Sequence, residues 1–205
     1  TARRLADHCR VWAPDLPGFG RSAKPRTPLR LPELAEALAE WMAAAGIGTA
    51  ALVGNSFGCQ IIVELAVRRP ELIDRVVLQG PTVDPDARSW RGQLARWVRN
   101  ARHERPTMSP LIAADYWDAG LARVFHTFRD ALEDPIERKL PAVTAPLLVV
   151  RGRNDPIVPQ RWAEAAARLA PNGRLSVVEG AHTLNFAAPD PFVAAILPFL
   201  LDRAP

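Results

Sequence analysis

At 205 residues, with 48% apolar content and a net charge of +4, the chain can bury a core of ordinary size and suits one domain with an inserted subdomain. Arginine carries nearly all the positive charge, since Lys24 and Lys139 are the only lysines, and it is scattered among 22 acids with no aromatic-basic module, which excludes an obvious nucleic-acid binder. Cys9 and Cys59 have neither metal-like spacing nor a secretory signal before them, and no apolar run approaches the roughly 20 residues that span a bilayer, so we expect buried free thiols, a cytoplasmic location and no membrane partner.

Thr1 to His8 reads as the tail of a helix, and Cys9 to Ala13 alternates as a strand would. Asp15-Leu16-Pro17-Gly18-Phe19-Gly20-Arg21-Ser22 then makes a turn, which taken alone is a strand-to-loop corner. From Pro32 to Ala45, Leu34, Leu38, Trp41 and Met42 fall on one helical face, with Pro32 suited to the first turn and Gly46 to the stop. Thr49 to Val53 is an apolar strand, and Phe57, Ile61, Leu65 and Arg68 recur at helical spacing after it. Between them lies Gly54-Asn55-Ser56-Phe57-Gly58, a sharp strand-to-helix turn whose flanking glycines are expected to let strand and helix approach. Such a turn exposes the Ser56 hydroxyl at the strand's carboxyl end and aims the Phe57 backbone N–H at a developing oxyanion.

Arg75 to Gln79 is the next buried strand. Between Pro81 and Pro146 no strand can be read. Trp90, Leu94, Trp97, Val98 and Ala101 form one amphipathic helical face, and Leu121, Val124, Phe125, Phe128 and Leu132 another. Arg88, Arg91, Arg96, Arg99, Arg102 and Arg105 give the first of these helices a basic side, read as a solvated face or a seat for an anionic substrate. The strand rhythm resumes at Pro146 to Val150, followed by a helix through Trp162, Ala166 and Leu169, a strand over Leu175 to Glu179, and a closing helix from Pro191 to Leu201 interrupted or bent near Pro198. The alternation predicts an α/β fold: a mostly parallel sheet with helices on both faces, its core formed by residues 1–81 and 146–205 and a helical cap inserted at 82–145.

Asp155 lies just past one strand and His182 just past the next, so both share the carboxyl edge of a parallel sheet with Ser56. Singly, Asp155 before Pro156 is a turn residue and His182 after Gly180 a loop histidine. Together they supply what a serine nucleophile needs: an imidazole to take its proton and a carboxylate to fix the tautomer. His8, His103 and His126 receive no role.

The order Ser56, Asp155, His182 and the Asp15–Ser22 corner resemble the α/β-hydrolase superfamily over the whole chain apart from the insertion, which matches the family's cap in position only. The resemblance implies a nucleophile at Ser56, an acid at Asp155 and a base at His182, with neither metal nor organic cofactor. Family branches with an aspartate nucleophile, the haloalkane dehalogenases and epoxide hydrolases, are disfavoured by Ser56. It also places a His-Gly oxyanion motif before the Cys9–Ala13 segment, so we expect a chain lacking its first three strands and second oxyanion donor, and marginally folded alone. The leading expectation is a serine hydrolase cleaving a small or medium-sized ester. Carbon–carbon bond hydrolases of the family carry a Gly-Asn-Ser elbow like this one but a tryptophan after the histidine, where Thr183 stands. A non-catalytic ligand receptor on the same scaffold is the alternative from another class. The expected partner is a small-molecule substrate, and nothing in the residues sets the oligomeric state.

Overall fold

A computed structural model of the chain describes residues 1–104 and 106–202. After a single helical turn, α1 (Ala2–Leu5), the chain runs without a ladder partner to α2 (Leu31–Ala44). Then come β1 (Ala50–Asn55), α3 (Phe57–Arg68) and β2 (Ile73–Gln79). The insertion holds α4 (Trp90–Ala101), α5 (Met108–Ala119), α6 (Leu121–Glu133) and the short α7 (Ile136–Lys139). The core closes with β3 (Leu147–Gly152), α8 (Gln160–Leu169), β4 (Gly173–Val178), α9 (Leu184–Ala187) and α10 (Pro189–Leu201), the last running through Pro198 without the interruption expected there.

The four strands pair in the order β1-β2-β3-β4, all parallel, and Asn55 lies opposite Gln79, which in turn lies opposite Val150. Because successive side chains of a strand point to opposite faces, Val76, Leu78, Leu147 and Val149 pack with α2, α3 and α8, whereas Val77, Leu148 and Val150 pack with Phe192, Val193 and Ile196 of α10. Parallel strands buried on both sides need apolar runs, and β3 is buried at every residue.

Three expectations fail. Cys9 to Ala13 joins no sheet: alternation makes a strand only where a partner offers its ladder groups, and among the described residues none lies beside it. The outer edge of β1 is unpaired among the described residues, with Val53 41% exposed, and a groove of about 980 Å³ lined by Trp12, Leu38, Trp41, Ala51, Val53 and Ile61 runs along it. The apolar face of α4 is also turned outward, since Trp90, Leu94, Trp97 and Val98 are exposed and Gln93 and Asn100 are its buried residues. Trp90 stacks on Phe125 of α6 and Trp97 on Tyr116 of α5, so the exposed rings shield one another rather than the sheet. Finally α5 and the short α7 are further insertion helices where two were read.

The insertion is fastened to the core by hydrogen bonds and ion pairs. On α3, Gln60 donates to the Ala131 carbonyl and to Asp134, and Lys139 bridges Glu64 and Asp134. Burial pushes the Asp134 carboxyl up despite Lys139, while the Lys139 and Arg68 cations outweigh burial at Glu64 and hold it low. On the other side, buried Asp84 receives Arg96 from α4 and Arg161 from α8, each at 2.7 Å. Two arginines of the basic side are therefore consumed, Arg96 by Asp84 and Arg88 by Glu137. Arg91, Arg99 and Arg102 are exposed, and Arg105 lies outside the described residues.

Candidate active site

Ser56 sits between β1 and α3 at φ 53°, and among the described residues it is the one non-glycine with positive φ. That conformation costs about 1–3 kcal/mol and persists only where surroundings enforce it. Here the Ser56 N–H donates to the Gln79 carbonyl at 3.0 Å, and a Cβ on Gly54 would stand 2.8 Å from the Gly58 carbonyl group. The requirement for smallness falls on Gly54 alone. A Cβ on Gly58, which lines the groove beside β1, would meet nothing within 4 Å among the described residues, contrary to the expectation that both glycines are needed. Phe57 opens α3, where the first turn's N–H groups have no carbonyl within the helix to bond. Behind the turn, Cys59 is a buried thiol pointing at the Gly54 and Gln79 carbonyls, and burial drives its pKa upward, so it is an inert packing group.

Asp155 follows β3 and is buried. Its Oδ1 accepts from the backbone N–H groups of Ile157 and Val158 at 2.8 and 3.0 Å, leaving Oδ2 for the Nδ1 of His182 at 2.7 Å. Arg151, itself buried, ties the same loop by donating to the carbonyls of Arg153, Asp155 and Val158. Burial lowers the Arg151 pKa, with the Asp155 charge acting against that.

His182 follows β4 and is also buried. With Nδ1 committed to Asp155, its Nε2 carries the acceptor lone pair, and this atom is buried with no hydrogen-bond partner. The structure thus joins Asp155 to His182 and does not join Ser56 to them by a hydrogen bond. Both arms nevertheless meet at Gln79, whose backbone carbonyl holds the Ser56 N–H and whose side chain donates to the His182 carbonyl. Gly80, the next residue, lies under the imidazole: a Cβ there would be 2.8 Å from His182 Cε1. Gln79, Gly80 and Arg151 were missed in the sequence reading. A polar Gln79 at the end of the apolar run Arg75–Gln79 and a glycine just past it were the available signals.

Among the described residues no group of His, Cys, Asp and Glu could hold a metal ion, and no helix is long and apolar enough to cross a membrane. The arrangement offers a hydroxyl, a carboxylate-bound imidazole with a free nitrogen and a helix-opening amide, on the carboxyl edge of a parallel sheet.

A parallel sheet wrapped by helices, with a strained serine turn after one strand, is the architecture of the α/β hydrolases. A family model described as the alpha/beta hydrolase family matches residues 2–195, and the chain belongs to that family. It is 28% identical to a protein of Caulobacter sp. (strain K31) assigned as the carbamate hydrolase RutD, over 98% of this chain and 84% of that one. It is 27% identical to the pimeloyl-[acyl-carrier protein] methyl ester esterase of Xanthomonas campestris pv. campestris, over 86% of this chain and 78% of that protein. A meta-cleavage product hydrolase from Pseudomonas fluorescens IP01 has a similar structure, with a TM-score of 0.75 at 22% identity over 97% of this chain and 82% of that one.

Proposed function

We propose that the protein is a serine hydrolase that cleaves a small or medium-sized ester through an acyl-Ser56 intermediate. The observation that carries this is the buried Asp155–His182 pair with its Nε2 free, sharing Gln79 with the strained Ser56 turn. Ser56 Oγ attacks the ester carbonyl carbon while Nε2 takes its proton, which requires the hydroxyl or the His182 loop to move until the two are within hydrogen-bonding reach. The Oγ–C bond forms, the carbonyl oxygen becomes an oxyanion facing the Phe57 N–H, and the imidazolium is stabilised by Asp155. Collapse breaks the bond to the leaving oxygen, which departs as an alcohol with the proton from Nε2. Water then repeats the sequence, activated by His182, and releases the acid and free Ser56. The insertion serves as the cap over this site, and its residues select the substrate.

The esterase relative supports ester cleavage and the carbamate hydrolase relative supports attack on an acyl carbon more broadly. Carbon–carbon cleavage is the second reading, favoured by the Gly54-Asn55-Ser56 elbow and disfavoured by Thr183 after His182. A fluorophosphonate probe is expected to label the protein and to leave Ser56→Ala unlabelled. An unlabelled wild-type protein that also hydrolyses none of a panel of nitrophenyl esters sinks the reading, whereas turnover of vinylogous diketones alone favours the second.

A further inference from the structure

The peptide unit linking His182 to Thr183 is gripped on both of its polar groups, from two different parts of the molecule. Its carbonyl accepts from Gln79 of the sheet, and its N–H donates to Oε1 of Glu104 at 2.9 Å. Glu104 belongs to the insertion, three residues past the end of α4. Its other oxygen, Oε2, accepts the Thr183 hydroxyl, and Asn100 of α4, a buried side chain, donates to Oε1 at 3.1 Å and steadies the carboxylate. Glu104 stands in an arginine-rich stretch, yet among the described residues no lysine or arginine pairs with it. Both oxygens are spent on the residue that follows the histidine.

We propose that Glu104 is a positioning residue for His182, acting through Thr183, so that the insertion sets the imidazole when it is seated on the core. The proposal rests on the hydrolase reading above. A planar peptide held at its C=O and at its N–H cannot swing about the line joining the Cα atoms of His182 and Thr183, which fixes the backbone from which the His182 side chain departs, and a ring fixed at Nδ1 by Asp155 then has a single place to present Nε2. With Glu104 withdrawn, the carbonyl remains on Gln79, but the N–H and hydroxyl of Thr183 lose their acceptors and the peptide can swing. An imidazole misplaced by about 1 Å costs roughly 100-fold in rate.

The test compares wild type, Glu104→Ala, Glu104→Gln and Thr183→Val on a nitrophenyl ester, each also in a His182→Ala background, with amide hydrogen exchange of the Thr183 N–H. Glu104→Ala is expected to lower kcat by roughly 10- to 100-fold with little change in KM. Glu104→Gln, which keeps an oxygen for the Thr183 N–H, recovers part of the loss, and Thr183→Val loses less than Glu104→Ala. In the His182→Ala background, Glu104→Ala changes the residual rate or the rate of fluorophosphonate labelling by less than about twofold, because the residue it positions is gone. Exchange at Thr183 is faster in Glu104→Ala, while α10 amides are unchanged. Wild-type turnover with kcat retained in Glu104→Ala, or an equal effect with and without His182, overturns the proposal. An inert, unlabelled wild-type protein overturns the hydrolase reading instead, and unchanged Thr183 exchange in Glu104→Ala then overturns the positioning claim as well.

Discussion

Replacing Gly80 by alanine inserts one methyl group directly beneath the imidazole. The Cβ would stand 2.8 Å from His182 Cε1, 2.9 Å from Nδ1 and 3.4 Å from Asp155 Oδ2, so the first contact is about 0.7 Å short of an ordinary carbon–carbon approach of roughly 3.5 Å. Gly80 also has φ 58°, where alanine is strained by about 1–2 kcal/mol. Gly46 provides the control, because its φ is 69° and a Cβ there meets nothing within 4 Å, so Gly46→Ala carries the backbone strain alone. Overpacking a dense interior adds about 1–3 kcal/mol, and urea titration should therefore place Gly80→Ala about 2–5 kcal/mol below wild type and Gly46→Ala only about 1–2 kcal/mol below. If the ring yields instead of the backbone, part of the overpacking cost reappears as a fall in kcat of roughly 10- to 100-fold in Gly80→Ala, with Gly46→Ala unaffected. Equal stability losses in the two variants together with wild-type kcat in Gly80→Ala would refute the placement of His182 over Gly80.

Asp84→Ala leaves the arginines from α4 and α8 facing each other without their shared acceptor. Breaking a buried pair typically costs about 3–5 kcal/mol, and the lower end is expected because Arg161 is 53% exposed and can turn to water. A urea midpoint corresponding to a loss under about 1 kcal/mol would contradict this. Glu64 is held below its ordinary 4.5 because Lys139 and Arg68 outweigh the opposing effect of burial, so it contributes stability above about pH 4.5 that is lost as the pH falls through its folded value. Denaturant midpoints measured from about pH 7 down to about pH 3 should show the gap between wild type and Glu64→Gln closing on the acid side, and a gap independent of pH would be inconsistent with the ion pairs.

How much of this was legible depended on whether the deciding force was local. The strands β1 to β4 and the helices α2, α3, α8 and α10 declared themselves because short apolar runs and 3.6-residue periodicity are written along the chain. Ser56, Asp155 and His182 could be marked because each sits where a strand ends, and strand ends in a parallel sheet share an edge. What failed was set by partners distant in sequence. The alternation from Cys9 to Ala13 is a genuine strand pattern with no ladder to join, and the α4 stripe is a genuine amphipathic pattern whose orientation nothing local decides. Met108–Ala119 spreads Leu111, Ile112, Tyr116 and Trp117 around the helix and so offered no face to detect. Glu104 reaches Thr183 across 79 residues, and no spacing rule announces such a contact.

The unpaired margin of β1 bears on how the chain behaves at high concentration. Along their outer edge, residues 50–55 have no ladder partner among the described residues, and the groove lined by tryptophan and leucine lies beside them. Any polypeptide that lies along it gains a row of main-chain bonds and covers oily surface at once, whether it comes from the same molecule, a neighbour or a foreign peptide.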